Sequence, residues 1–385
     1  MLRVLEIVSS RQDTGVGIIA KTLAKAMNTH SIETTILWLN PQIKGNIHAE
    51  LDNVLSWSRI DSTIKKTHAD LIHFHGVPSN FLEILYQKSI QRKPIIATCH
   101  GLQYDFELCR IQAQKETIGI NSSEQVLQRI SALSARSLAL LGYNLCDHVI
   151  AVSRFVADRL KKVYRVPDKK ISIVYNGIDT EFFCRKSEKE IGYLKKRLQI
   201  ENSNKVILFV RPSPRKGLHH LVQAMPIIKR RNRNIKLVVV GKPIPDGYEE
   251  YVKKLSTKLG IEDDIILVGK VARNDLATLY SLSQVYVLPS FYDALPTSVL
   301  EAMACKVPVV AYNVGGIPEM VQNGTTGFLV EKGDIISLAQ KIELVLSDDL
   351  LARRLGEVSR SRVKNRFSCE VMSKNILNVY SSLEK

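Results

Sequence analysis

Twice along this chain, short and nearly continuous apolar runs alternate with helix-length segments of mixed polarity. The first series comprises Val4–Val8, Thr34–Leu39, Leu71–Phe74, Pro94–Cys99, His148–Val152 and Ile171–Val174, each ending in turn chemistry. From Ile191 to Asn204 the sequence turns polar and lysine-rich. The pattern then restarts with Val206–Val210, Leu237–Val240, Ile265–Val268, Val285–Leu288, Val307–Ala311 and Phe328–Val330. Apolar runs without polar alternation fit strands covered on both faces, so each series predicts a parallel sheet flanked by helices. After Asp334 the pattern predicts helix to the end of the chain, with a bend at Phe367 before a last helix from Ser368 to Leu383.

At 385 residues the chain exceeds what a single core usually supports. The expected fold class is therefore α/β, with two doubly wound, Rossmann-like domains and an interdomain cleft. Residues 1–185 form the first domain, 186–204 a linker and 205–366 the second domain.

Composition narrows the function classes. Hydrophobic residues make up 45% and charged residues 24%, which predicts well-folded domains. Arg3 and Glu6 interrupt the first apolar run, so Met1–Val8 reads as a strand and not a signal peptide, and no run approaches membrane-spanning length. The six cysteines are scattered without a C-x-x-C pair, which disfavours a zinc site and a disulfide framework and points to the cytosol. The net charge of +16 would suit an anionic partner. Nucleic acid is not expected, since aromatic content is 6% and no recognition signature is present. An anionic membrane surface or an acidic substrate remains open.

Candidate chemistry gathers at strand ends. The stretch Val287–Ala304 runs from a buried strand through a turn holding Asp293, Leu295, Pro296 and Thr297 into a helix carrying Glu301. A helix start beyond a strand's carboxyl end favours phosphate. Val206–Val210 leads to Arg211-Pro-Ser-Pro-Arg-Lys216-Gly217, which sets cations where a pyrophosphate could sit. Val4–Val8 leads to a turn with Gly15 and Gly17, a poor match to the dinucleotide fingerprint. His73 and His75 share one strand face without an evident third ligand, so no metal is expected. Each residue also has a structural reading: Asp293 as an Asx turn, His100 as a hydrogen-bonded core residue, Glu301 as a solvated helix glutamate.

Together, Arg211-x4-Lys216-Gly217, Asp293-x7-Glu301-Ala-Met-Ala, Gly315-Gly-Ile-Pro-Glu319, Asn323-Gly-Thr-Thr-Gly327 and Asn176-Gly-Ile-Asp179 resemble the retaining nucleotide-sugar glycosyltransferases of family 4, which have the GT-B fold. The resemblance implies that Arg211 and Lys216 hold the donor diphosphate, with Leu295, Pro296 and Thr297 lining the donor site. It also implies that Glu301 holds the ribose hydroxyls and that Asp293 lies near the donor sugar. His100 would touch the transferred sugar, Gly15 and Gly17 would line the acceptor side, and helix 367–385 would cross back onto the first domain. Asp293 stands where relatives more often have glutamate, and Val210 and Thr14 stand where glycines are usual.

The implied reaction moves a sugar from a UDP- or GDP-sugar to a glycan or lipid-linked acceptor, with no cofactor or metal. It would serve cell-surface polysaccharide or glycolipid synthesis at the inner face of the membrane. Arg211, Lys216, Asp293 and His100 are the catalytic candidates. Two other readings fit the sequence: a non-catalytic sugar- or nucleotide-binding protein, and a sugar-nucleotide epimerase of similar architecture.

Overall fold

The computed structural model describes residues 2–8, 15–28, 32–38, 60, 62–77, 93–119, 121–242 and 247–383. The chain divides into two compact units. The first comprises residues 1–104, 131–178 and 367–385, and the second residues 105–130 and 179–366.

The first unit is a six-stranded parallel sheet in the order β2-β1-β3-β4-β5-β6, built from β1 (Arg3–Val8), β2 (Glu33–Trp38), β3 (Leu71–His75), β4 (Ile95–Cys99), β5 (His148–Ala151) and β6 (Ile171–Ile173). Helix α1 (Gly15–Asn28) connects β1 to β2. Two further helices follow β4, namely α2 (Gln103–Glu116) and α3 (Ser122–Leu145), and α4 (Arg154–Tyr164) follows β5. Helix α4 starts where the Ser153 hydroxyl accepts a hydrogen bond from Val156 N–H at 3.2 Å, which satisfies one of the free donors of a first turn.

The second unit repeats the plan. Its parallel sheet runs β12-β11-β10-β7-β8-β9, with β7 (Lys205–Val210), β8 (Ile235–Val240), β9 (Ile265–Gly269), β10 (Val285–Leu288), β11 (Val309–Tyr312) and β12 (Gly327–Val330). Its helices are α5 (Glu188–Arg197), α6 (Leu218–Lys229), α7 (Tyr248–Lys258), α8 (Arg273–Leu282), α9 (Thr297–Ala304), α10 (Ile317–Met320), α11 (Ile335–Ser347) and α12 (Asp349–Arg366). The last helix, α13 (Cys369–Ser381), belongs to the first unit. Residues 186–204, read as a linker, lie in the second unit and are largely α5, which starts in a reciprocal capping box between Ser187 and Glu190. The division falls between Ile178 and Asp179, and residues 105–130 pack with the second unit.

Each core follows from the period of the strands. In the second unit Ile207, Phe209, Leu237, Val239, Val285 and Val287 occupy alternate strand positions and pack against Leu221 and Met225 of α6 and Ile342 of α11. In the first, Val4, Leu71, Ile96 and Ile150 meet Leu23 of α1 and Met372 and Ile376 of α13. Burying each such side chain fully stabilises the fold by about 1.5–3 kcal/mol. Glu6, on β1, is fully buried.

Both sheets reverse strand order once, between β1 and β3 and between β7 and β10. Loops leaving the carboxyl ends of two such neighbours diverge to opposite sides and open a crevice, which is where ligands bind in open α/β sheets.

Candidate functional site

In the second unit the loops after β7 and β10 carry the cations and the acid picked out from the sequence. Arg211 ends β7 in the left-handed region (φ 63°), with its N–H donating to the Val240 carbonyl at 2.7 Å. Ser213 caps the following 3-10 turn, Pro214–Lys216, which Gly217 closes at φ 76°. A side chain at Gly217 would collide with the Pro289 carbonyl, so only glycine lets the two loops pack this closely.

That packing brings Lys216 onto Asp293. Lys216 Nζ lies 2.9 Å from each Asp293 carboxylate oxygen, and Arg215 Nη1 lies 3.3 Å from Oδ1. Arg215 also donates to the Tyr292 carbonyl, and its own carbonyl accepts from Phe291 N–H at 2.9 Å. Both members of the pair are buried, whereas Arg211 is exposed. Burial pulls the Lys216 ammonium down to about 8 despite Asp293, with Arg215 and Arg211 acting in the same direction as burial. Burial pushes the Asp293 carboxyl up, but Lys216 and Arg215 outweigh it and hold the group below its ordinary value. Two cations thus contact one carboxylate, with Arg211 near enough to act on Lys216, a surplus suited to an anion.

Glu301 sits on α9, buried, and accepts a hydrogen bond from the Tyr280 hydroxyl at 2.9 Å. Tyr286 on β10 donates its hydroxyl hydrogen to Ser298 Oγ at 2.8 Å, fixing the first turn of the same helix. Pro296 occupies the N-cap position without a side-chain cap, Thr297 is the first helical residue, and Leu295 is buried just before it. Gly315 adopts φ 57°, and a Cβ there would strike the Asp293 carbonyl oxygen, which accepts from Gly316 N–H at 3.0 Å. The turn at Gly315-Gly316 therefore props the Asp293 loop. Sequence reasoning missed Arg215, Tyr280 and Ser298. Only Arg215 had a local signal, as a second guanidinium beside Lys216.

The remaining candidates belong to the first unit. Gly15 and Gly17 begin α1. His100 follows β4, half-buried, with Nε2 at 3.0 Å from His75 Nδ1 and a hydrogen bond to the Asn176 side chain. His75 Nε2 lies 3.5 Å from Glu6, while His73 lies 2.7 Å from both the Tyr380 and Thr98 hydroxyls. Burial raises the Glu6 carboxyl to about 8 and lowers the His75 imidazole to about 3, so both are neutral at pH 7 and their approach is no ion pair. Glu6 is the acid beside His73 and His75 that the sequence did not disclose, although both His73 nitrogens already have partners.

Comparison with known proteins identifies the chain's relatives. The family profile for glycosyl transferases group 1 matches residues 192–362, and that for glycosyltransferase family 4 matches residues 14–182. An uncharacterized glycosyltransferase of Methanocaldococcus jannaschii is 31% identical over 313 residues, 81% of this chain and 75% of that protein. The N-acetyl-alpha-D-glucosaminyl L-malate synthase of Bacillus anthracis is 29% identical over 327 residues, covering 84% of this chain and 77% of its own. Among solved structures, the Anabaena protein HepE in complex with UDP and glucose superposes with a TM-score of 0.77 over 100% of both chains at 20% identity.

Proposed function

The chain belongs to the family 4 glycosyltransferases of GT-B fold, and from that premise we propose that it is a retaining hexosyltransferase using a nucleoside diphosphate sugar. The observation that carries this reading is the buried Lys216–Asp293 pair, flanked by Arg215 and Arg211, at the strand-order reversal of the second sheet.

The chemistry follows from the charges. A leaving diphosphate gains negative charge in the transition state, and preorganised cations stabilise it without reorganising. An entering diphosphate competes with Asp293 for Lys216 and Arg215, which frees the Asp293 carboxylate to accept a sugar hydroxyl. Glu301, oriented by Tyr280, is suited to hold two ribose hydroxyls. Arg211, exposed at the end of β7, is free to swing onto the phosphates. Leu295, Pro296 and Thr297 would line the nucleotide, and His100, Gly15 and Gly17 would serve the sugar and acceptor. Double displacement needs a carboxylate at the anomeric carbon, and the freed Asp293 is taken up by a sugar hydroxyl in this scheme. Same-face attack, with the acceptor proton passing to the leaving phosphate, therefore fits better. No metal or cofactor is required in this scheme.

The acceptor is proposed to be a glycan or lipid-linked sugar met at the cytoplasmic membrane face. Support comes from α3, where Val126, Leu127, Ile130, Leu133, Leu138 and Leu141 are all exposed. At 3.6 residues per turn they fall within an arc of roughly 140°, opposite the buried Ala132, Ala139 and Tyr143. No described helix is long and apolar enough to cross a membrane.

Proton NMR of the first-formed product tests the reaction. An α-linked donor is expected to yield an α-linked product. A β-linked product would overturn retention, donor consumption without acceptor would favour an epimerase, and binding without turnover a carrier.

A further inference from the structure

We propose that Glu116, His219 and His220 form a binding site for a divalent transition-metal cation, with zinc the best match to their chemistry. One ligand atom from each lies within 4.8 Å of the other two. His219 and His220 lie in the first turn of helix α6, just after Leu218, and Glu116 is the last residue of α2. All three belong to the second unit, and none takes part in the donor site proposed above.

The second observation is an orphan. His219 is 2% exposed, and its Nε2 has no hydrogen-bond partner, a costly arrangement for a buried polar atom. Its other nitrogen, Nδ1, lies 3.0 Å from the Tyr248 hydroxyl, and His220 Nδ1 lies 2.8 Å from the Tyr312 hydroxyl. Each ring is thus held at Nδ1 by a tyrosine, with Nε2 left to bind. That is the usual support of a metal-ligating histidine, whose outer nitrogen is fixed by a hydrogen bond. Ligation through Nε2 keeps the remaining ring proton on Nδ1, where the tyrosine oxygen accepts it.

Two imidazoles and one carboxylate suit zinc in a tetrahedral site with water in the fourth position. Zinc bonds of about 2.0–2.1 Å place neighbouring ligand atoms roughly 3.4 Å apart. The exposed Glu116 side chain, held by a single hydrogen bond from Gln112 at 3.1 Å, is the one that can close that gap. Bound metal would fasten the end of α2 to the start of α6. Helix α2 also carries Phe106, whose ring lies 4.3 Å from the Arg215 guanidinium, so the metal would brace the turn that holds Lys216.

The test uses the full chain stripped with a chelator, then titrated with zinc by calorimetry and with cobalt by visible absorption. The wild type is expected to take up one zinc per chain and to give the strong cobalt bands of a four-coordinate site. Because His219→Ala removes a buried, hydrogen-bonded side chain and risks misfolding, Glu116→Gln and His220→Gln are the deciding variants, with folding checked by circular dichroism. Each is expected to weaken zinc at least about tenfold, the effect seen when even an outer partner of a metal ligand is lost. No stoichiometric zinc in the wild type, or unchanged affinity in both folded variants, would overturn the proposal.

Discussion

Lys216 Nζ stands at 2.9 Å from both carboxylate oxygens of Asp293, although the two residues are 77 positions apart and both are buried. The pair brings the turn after β7 against the turn after β10. It also stores a cation in a place where water cannot screen it.

On the proposed reading, this burial is expected to make donor binding pH-dependent. With its ordinary value of 10.5 lowered to about 8, Lys216 loses its proton as pH rises through 8, and an anionic ligand loses a partner. Donor affinity is expected to fall about tenfold between pH 7 and pH 9.5, and Lys216→Arg, which stays charged, should flatten that slope. The effects on stability have opposite signs. The unfolded chain binds more protons at Lys216 between pH 8 and 10.5, so that contribution rises with pH there. The lowered Asp293 value contributes stability that is present above 3.8 and lost as pH falls through the folded value. Calorimetric titration across pH measures the affinity slope, and a flat wild-type profile would contradict it.

Glycine geometry gives a second expectation. Gly315→Ala must overcome both a positive φ of 57° and a collision with the Asp293 carbonyl, whereas Gly333→Ala meets only its φ of 90°, with open space around the new methyl. Urea unfolding should show about 1–2 kcal/mol lost at Gly333 and clearly more at Gly315. Donor affinity should fall only for Gly315→Ala. Equal costs at the two positions would show that the Asp293 loop does not lean on Gly315.

Membrane docking through α3 predicts co-sedimentation with anionic but not neutral vesicles, released by salt. Each correctly placed cation contributes roughly 1 kcal/mol near such a surface. Leu127→Glu and Ile130→Glu change side chains that are 66% and 57% exposed, so folding should be unaffected while vesicle binding is lost. Equal absence from both vesicle types at low salt would leave the charge as a solubility feature.

The twelve strands among the described residues could all be read from the chain because buried parallel strands, such as Val206–Val210, are apolar on both faces and stand out without alternation. Helix α5 was less legible. Its polar, lysine-rich composition suggests a linker, and the capping box at Ser187 and Glu190 was the only local sign of a helix start. Lys216, Asp293 and Glu301 could be picked out because each sits in a turn or helix start with its own local chemistry. Their partners could not. Tyr280 reaches Glu301 only because α8 packs beside α9, and Tyr380 reaches His73 across 307 residues. Glu6 was not legible as a neighbour of His73 and His75, since a charge suggests solvent, yet neutralisation lets it sit inside the sheet.

The central claim is that the second unit binds a nucleoside diphosphate sugar through Lys216 and Glu301, and calorimetric titration of UDP- and GDP-sugars into the wild type, Lys216→Ala and Glu301→Ala tests it most directly. The wild type is expected to bind at least one of these donors, and a hundredfold excess over the dissociation constant should stabilise it by about 2.7 kcal/mol. Both variants should remain folded and bind at least about tenfold more weakly. Equal affinity in all three proteins, or no binding of any donor to the wild type, would contradict the account.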